Sequence, residues 1–417
     1  MDRCEKLENG RLFVRSHLAF GLAKIRDTLP SPTLGARAPR PGTDVDRAWL
    51  AGVLGTELAE MTVSGLDDNR GLVGRVIRIT AKTTGGEERK FILKTSGESV
   101  AARRWTILFG RQREAYFYNE VAPTLPTDGI AVPKAVYAHG SALFGEYVIL
   151  LEDLGARGVG VNLLMGNQCW GLPEGMQAAD DEEKLAILGK AWESVATVHG
   201  KYWNDKGLLA NGVLRGADWF RGDGRAQWTN LMSMSKDAWS GALAGGLRDR
   251  IQLSPRFENV MQASIARQDW HTMCARLRKA PFSLCHGDFH SANMILDSAT
   301  GRPIIFDWSE IGPGNPCGDL GQMPVSDLPP RLFPRLKQLL HDTYWSTITG
   351  PSGPTTADEF PFELCWDGFC RASGERWVWM FGLLASMPVL PPQAIQYFHD
   401  QLLAFIELTG YDDEFFA

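Results

Sequence analysis

Three features are scarce in this sequence of 417 residues: long apolar runs, regularly spaced cysteines and an excess of one charge. No apolar run approaches the ~20 residues that a helix requires to cross a bilayer, and the opening letters MDRCEKLENGRL do not resemble a secretory signal. The seven cysteines are odd in number and form no CxxC spacing, which favours reduced thiols over a disulfide framework. We therefore expect a cytoplasmic protein without a membrane span.

Acidic and basic residues are nearly balanced. The 43 Lys and Arg residues stand against 49 Asp and Glu, for a formal net charge of −6. This charge provides no general attraction to nucleic acid or to an anionic membrane. Hydrophobic residues make up 44% of the chain and charged residues 22%, which is typical of globular proteins. A chain of this length has room for two lobes and a large core.

The most informative stretch is CHGDFHSANMIL (285–296), which is followed by IIFDW (304–308). Asp288 and Asn293 are five residues apart, the spacing of a catalytic loop in which an Asp accepts a hydroxyl proton and an Asn holds Mg²⁺. An isolated Asp more often caps a turn or has a structural role. The combination with Asn293 and Asp307 favours catalysis by Asp288 in a phosphoryl-transfer reaction.

A β-hairpin is predicted around the two remaining polar residues of this stretch. Residues 294–296 and 303–306 are short apolar runs separated by the turn-forming residues 298–301. Antiparallel pairing about this turn brings Asn293, before the first strand, opposite Asp307, after the second. Amide and carboxylate oxygens are ligands that Mg²⁺ prefers, so both residues are predicted metal ligands.

A second group of patterns lies upstream of this stretch. Residues 44–50 indicate the start of a helix, with Asp44 as the candidate N-cap. A turn with Gly71 and Gly74 leads into a strand pattern, and residues 89–94 alternate as a second strand that ends at Lys94. The expected function of the glycine turn and of Lys94 is to bind the phosphates of a nucleotide.

The segment 111–120 has helical character and carries Glu114 near its start. A strand lysine paired with a helix glutamate is the kinase arrangement that directs an ammonium at the α- and β-phosphates. We therefore predict that Glu114 pairs with Lys94. Glu120 lies on the same segment and is the alternative partner.

An apolar strand is predicted at 146–151, and the acidic segment 152–155 follows it. A strand that ends in a flexible junction suits a hinge between two lobes, where backbone groups hold an adenine ring.

The order of these motifs resembles the aminoglycoside phosphotransferase and choline kinase superfamily, and most closely its ecdysteroid-kinase-like (CHK kinase-like) group. The letters ATVHGKYW at 196–203 are similar to the LHAxxW helix of that group, and matching segments extend from about 62 to 320. The resemblance implies an α+β, protein-kinase-like two-lobed fold. Its N-terminal lobe, 1–153, would carry an antiparallel sheet, and its C-terminal lobe, 154–417, would be mainly helical.

The same resemblance implies an enzyme that uses ATP and Mg²⁺ to phosphorylate a hydroxyl group of a small organic molecule. Leu151 and Asp153 would contact adenine through backbone C=O and N–H groups, as in the family hinge. Asp319 would brace the catalytic loop, and His286 would support it by hydrogen bonding.

Two features depart from the family pattern. Asp67 and Asp68 lie in the glycine turn, near the expected phosphates, with Arg70 beside them. Ser309 stands where relatives often carry an acidic residue, although Glu310 follows it.

Two other functions remain open at this point. A protein kinase is disfavoured because DWS replaces DFG and no APE motif follows. A nucleotide-binding pseudokinase scaffold is disfavoured because Lys94, Asp288, Asn293 and Asp307 are all present.

The acceptor is not determined by these motifs. Twelve of the fourteen tryptophans follow Gly155. Their rings suit a cage for the ammonium of an amino alcohol, a pocket for a sterol or terpenoid alcohol, or simple helix packing, which we favour for most of them.

Overall fold

The computed structural model describes residues 3–28, 39, 44–65, 74–97, 99–166, 176–411 and 415–416. Its contacts divide the chain into two compact units. The sheet unit comprises Met1–Thr124, Val132–Arg157 and Phe306–Ile311, and the helical unit comprises Leu125–Ala131, Gly158–Ile305 and Gly312–Ala417. The lobe boundary between residues 153 and 154 stays a prediction.

The sheet unit is built on five strands in the order β1-β2-β3-β5-β4, and every neighbouring pair is antiparallel. The strands are β1 (Leu58–Gly65), β2 (Gly74–Thr83), β3 (Glu88–Ser96), β4 (Ala135–Ser141) and β5 (Glu146–Glu152). The alternating residues of β2 and β3 bury one face in the core, including Ile79 and Leu93. All three strands predicted in this part of the chain are therefore confirmed.

The helices of the sheet unit are α1 (Arg3–Thr28), α2 (Arg47–Leu54), α3 (Val100–Phe109) and α4 (Arg113–Tyr116). A π-helical turn, Phe117–Val121, follows α4 directly. Together α4 and this turn account for the helical character predicted over 111–120.

The expected N-cap of α2 requires a correction. The sequence suggested Asp44, but the carboxylate of Asp46 accepts the hydrogen bond from the Trp49 N–H at 2.7 Å. Asp46 has the extended backbone of an N-cap residue, and its side chain reaches the third helical N–H. The helix therefore begins one residue after Asp46.

The described part of the helical unit contains five short strands: β6 (Gly158–Gly160), β7 (Ser283–Cys285), β8 (Met294–Asp297), β9 (Pro303–Ile305) and β10 (Gly312–Gly314). Strands β8 and β9 form the predicted hairpin, and their register pairs Met294 with Ile305. Asn293 therefore immediately precedes the hairpin, and Asp307 follows it by two residues.

Helices dominate the rest of the helical unit. They are α5 (Val161–Met165), α6 (Asp181–Lys201), α7 (Gly207–Ala210), α8 (Arg225–Ala244), α9 (Leu247–Arg250), α10 (Pro255–Ala266), α11 (Trp270–Lys279), α12 (Gln322–Asp327), α13 (Leu336–Leu340), α14 (Ser346–Thr349), α15 (Phe362–Ser386) and α16 (Pro392–Thr409). The predicted α+β, two-lobed fold class, with an antiparallel sheet followed by a mainly helical part, is thereby confirmed.

Among the described residues, no helix has both the length and the apolar character needed to cross a bilayer. Cys274, Cys285, Cys317, Cys365 and Cys370 are buried free thiols, as reduced cysteines would be.

Candidate active site

Lys94 and Glu114 form the predicted ion pair in the sheet unit. The ammonium nitrogen of Lys94, on β3, lies 2.8 Å from Glu114 Oε1 and 2.7 Å from Oε2. The Glu114 side chain is 2% exposed, whereas the alternative partner, Glu120, lies on the surface. Glu114 is buried and Lys94 lies on a strand, so the pair is held in one geometry.

Asp307 contacts the same ammonium, with Oδ1 3.0 Å from Lys94 Nζ. Its backbone lies in the left-handed region, at φ 62°, which few residues other than Gly, Asn and Asp tolerate. The next residue, Trp308, is fully buried and stacks on Phe117, with 4.0 Å between ring centroids. This packing keeps the strained backbone of Asp307 in place.

The charges of this cluster shift the pKa values of its members. Burial lowers the pKa of Lys94, but the carboxylates of Asp307 and Glu114 outweigh it, so the net shift is upward. Burial raises the pKa of Glu114 to about 7, despite the opposing effect of Lys94. Glu114 and Asp307 therefore share one ammonium, and burial decides the direction of the shift at Glu114.

Arg111 is a second cation beside this cluster, and sequence reasoning assigned it no role. Its guanidinium donates to the Ser309 hydroxyl at 3.2 Å. Although burial lowers the pKa of Arg111, Asp307 and Glu310 raise it overall. Ser309, where relatives often carry an acid, thus serves as a hydrogen-bond acceptor for Arg111. No local pattern distinguishes Arg111 from other arginines, because its partner is 198 residues away.

The predicted hinge residues occupy the end of β5 and the segment after it. Leu151 is paired on both sides, with Ile92 of β3 and with Ala135 of β4. The Asp153 N–H, expected to face adenine, donates to the Lys90 carbonyl at 3.0 Å. In this structure that N–H is therefore used inside the sheet.

The Asp153 side chain, to which we assigned no function, also has partners. Its carboxylate accepts from Arg78 Nε at 2.6 Å and from the Gly155 N–H at 2.9 Å. Asp153 thus stabilises the turn after β5.

The glycine turn is only partly described. Gly71 and the charged residues Asp67, Asp68 and Arg70 lie outside the described residues. At Gly74 a Cβ atom would lie 2.4 Å from the Tyr147 hydroxyl, so glycine is required for this close approach.

In the helical unit, Asp319 braces the predicted catalytic loop, as the resemblance implied. Its two oxygens accept from the His286 N–H at 2.6 Å and the Gly287 N–H at 2.8 Å, and His199 Nε2 lies 3.2 Å away. His286 Nδ1 accepts from the Asp288 N–H at 3.2 Å. Both predicted supporting roles are confirmed, and they place Asp288 directly after two anchored backbone groups.

Both oxygens of the Asp288 carboxylate are engaged. Oδ1 accepts from Gln322 Nε2 at 2.8 Å and from Arg376 Nη2 at 3.0 Å, while Oδ2 accepts from Asn293 Nδ2 at 3.3 Å and lies 3.6 Å from His290 Nε2. Burial raises the pKa of Asp288, but these neighbours outweigh it and hold that pKa well below its usual range. Asp288 is therefore an ionised carboxylate at neutral pH.

Asn293 ends the 3₁₀ turn that precedes β8. Its amide nitrogen donates to the Asp288 carbonyl at 2.9 Å, so Oδ1 is the atom left to bind a metal ion. Asn293 belongs to the helical unit and Asp307 to the sheet unit. Each side chain offers a hard oxygen donor, the type of ligand that suits Mg²⁺.

Six of the thirteen described tryptophans are buried packing residues. The side chains of Trp192, Trp228, Trp239, Trp270, Trp308 and Trp377 are buried. Trp170 lies outside the described residues. The packing interpretation is confirmed for the six buried rings.

Residues 79–349 match the model of the family described as "Phosphotransferase enzyme family". No curated protein matches the sequence.

Solved structures with a similar fold include small-molecule kinases. The GDP complex of aminoglycoside 2′-phosphotransferase-IIIa is 12% identical, covering 82% of this chain and 92% of that chain with a TM-score of 0.44. An ethanolamine kinase of Plasmodium vivax is 13% identical, covering 83% and 81%, with a TM-score of 0.41. A choline/ethanolamine kinase family protein from Mesorhizobium loti is 14% identical, covering 83% and 88%, with a TM-score of 0.40.

Proposed function

We propose that this chain, which belongs to the phosphotransferase enzyme family, transfers the γ-phosphate of ATP to a hydroxyl group of a small organic molecule in the cytoplasm. The observation that carries the proposal is the Asp288 carboxylate, which is ionised, held by Gln322 and Arg376, and followed at the catalytic-loop spacing by Asn293.

Nucleotide binding is assigned to the sheet unit. Lys94, fixed by Glu114, supplies a permanent positive charge to the phosphates. We retain Leu151 and Asp153 as candidates for adenine binding, with the requirement that Asp153 release its N–H from Lys90 to do so.

Asp288 orients the acceptor hydroxyl and receives its proton. An ionised carboxylate is a weak base towards an alcohol, so Asp288 does not remove the proton before the acceptor oxygen approaches phosphorus. The proton moves late, as that oxygen becomes acidic on bonding. Such timing agrees with the loose transition state of phosphoryl transfer.

Asn293 and Asp307 would hold Mg²⁺ through their side-chain oxygens. When bound, the ion supplies positive charge to the phosphate oxygens.

The acceptor is proposed to be an amino alcohol, a sterol or terpenoid alcohol, or a related metabolite. Amino alcohols agree with the ethanolamine kinase among the similar structures. Bulky alcohols agree with the resemblance to the ecdysteroid-kinase-like group.

The proposal is tested by measuring ADP release from Mg·ATP with amino alcohols, sterols, terpenols, sugars and aminoglycosides. We expect one chemical class to stimulate release and Asp288→Ala to abolish it, because general acid–base groups contribute about 10²–10⁴-fold. Nucleotide binding by the variant, measured by calorimetry, is expected to persist.

Silence across the panel with Mg·ATP binding intact would contradict the proposal and favour a nucleotide-binding scaffold. Stimulation that survives in Asp288→Ala would refute the role of Asp288.

A further inference from the structure

Arg376 lies on α15 and pairs directly with the proposed catalytic residue. Its Nη2 is 3.0 Å from Asp288 Oδ1, and the two side chains are 20% and 30% exposed. The pair is therefore partly accessible, as it must be if an acceptor hydroxyl is to reach Asp288. Any such acceptor approaches a guanidinium as closely as it approaches the carboxylate.

The same guanidinium covers an aromatic face. The Arg376 Cζ atom lies 5.6 Å from the centroid of the Trp379 ring. The faces of tryptophan rings are the surfaces on which proteins bind quaternary ammonium ligands. At Trp379 the cation is supplied by the protein itself.

Trp377, two residues before Trp379, does not provide a free aromatic face instead. Trp377 is 2% exposed and stacks on Phe398, with ring centroids 5.6 Å apart. Trp377 is thus a core residue. A cage for an ammonium ligand would require free aromatic faces near Asp288, but α15 places the Arg376 guanidinium there.

We propose that Arg376 determines acceptor specificity by excluding alcohols that carry a positive charge next to the reacting hydroxyl. The inference rests on the proposed function and narrows it to neutral or anionic alcohols. An ammonium two carbons from a hydroxyl at Asp288 would lie within roughly 6 Å of the guanidinium, which is inside the ~8 Å screening length of physiological salt. Arg376 offsets the attraction of its partner Asp288 for that ammonium, so the ammonium loses hydration without a net electrostatic gain. A neutral alcohol of the same shape has no such cost.

Matched acceptors that differ only in charge test this inference. Choline and 3,3-dimethylbutan-1-ol have the same shape, as do ethanolamine and propan-1-ol, and one member of each pair is cationic. ADP release with Mg·ATP gives kcat/KM for each alcohol in the original protein, Arg376→Met and Arg376→Lys. We expect the original protein to favour the neutral member. Arg376→Met should raise the cationic-to-neutral ratio of kcat/KM about tenfold, and Arg376→Lys should keep the ratio low.

Arg371→Met is the control on the same helix, because Arg371 pairs with Asp367 instead of Asp288. It should leave the ratio unchanged. An equal ratio in Arg376→Met and the original protein, or a preference of the original protein for the cationic member, would overturn the inference while leaving the phosphotransferase activity in place. A preference for the cationic member would point to a cation site at Asp327, the carboxylate whose charge raises the pKa of His290. If no alcohol gives Asp288-dependent ADP release, the proposed function fails and this inference fails with it.

Discussion

In the sheet unit one ammonium contacts two carboxylates, whereas in the helical unit one carboxylate accepts hydrogen bonds from several donors. Lys94 lies within 3.0 Å of both Glu114 and Asp307. Asp288 accepts from Gln322, Arg376 and Asn293. The two clusters contain similar chemical groups in opposite proportions.

The pKa values follow these proportions. Burial, together with the Asp307 carboxylate, raises the pKa of Glu114 to about 7 against the opposing effects of Lys94 and Arg111. Although burial also raises the pKa of Asp288, its several donors bring it well below the usual range. In the sheet unit burial therefore prevails at Glu114, while in the helical unit several donors keep one carboxylate ionised. The balance of partners, more than burial, decides which function a buried carboxylate can have.

The largest effect is expected from removing the Lys94 ammonium, which Glu114 and Asp307 share. Lys94→Met leaves the buried Glu114 without this partner and removes positive charge from the proposed phosphate site. We expect kcat/KM for ATP to fall about 10²-fold or more, measured by ADP release with an accepted alcohol.

Gln322→Met is the counterpart in the helical unit. It removes one of several donors to Asp288, so we expect kcat to fall about tenfold or less. Equal losses in the two variants would show that the number of donors does not distinguish the clusters.

Removing the brace of the catalytic loop should have the next largest effect. Asp319→Ala removes the acceptor of the buried His286 N–H and the half-buried Gly287 N–H, so the free energy of unfolding at pH 7 should decrease by about 3 kcal/mol. Burial raises the pKa of Asp319, but His199 and the loop N–H groups outweigh it and lower that pKa. As the pH falls, the unfolded chain therefore binds this proton first, and the stabilisation present above pH ~4 is lost. Urea unfolding at pH 7 and pH 3 measures both effects.

Asp319→Asn provides the control, because it keeps one acceptor oxygen but does not titrate. Its unfolding free energy should change less between pH 7 and pH 3 than that of the original protein. An unchanged difference between the two pH values would refute this role of Asp319.

The smallest effect is expected at the N-cap of α2 in the sheet unit, outside both charged clusters. Asp46→Ala removes the cap on the Trp49 N–H and should reduce the free energy of unfolding by about 1 kcal/mol. Asp44→Ala is the matched variant for the cap expected from the sequence and should have a smaller effect. Thermal unfolding distinguishes them, and a larger loss in Asp44→Ala would contradict the assignment of the cap.

Local patterns predicted several parts of these clusters. The β8–β9 hairpin follows from two apolar runs and a turn, and the pairing of Lys94 with Glu114 follows from a strand and a helix of known spacing. Asp319 was assigned through the family resemblance. These features depend on short segments, or on motifs whose spacing is maintained by the fold.

Other parts were not predictable from such patterns. Arg376 is 88 residues from Asp288, and Arg111 is 198 residues from Ser309. The sequence contains 43 Lys and Arg residues, and none of the local signals marks these two. For Asp153, the sequence indicated a position just after a strand but not the partners of its side chain or its N–H.

The sequence by itself determined the order of the strands and helices, the catalytic-loop spacing and the identity of the charged groups available for chemistry. These follow from periodicity, turn residues and spacing, which operate over a few neighbouring positions. Only the tertiary structure decided how many donors each carboxylate has, and hence the direction of each pKa shift. That number depends on which distant side chains fold against the carboxylate, because electrostatic and hydrogen-bonding energies depend on distances in space and not along the chain.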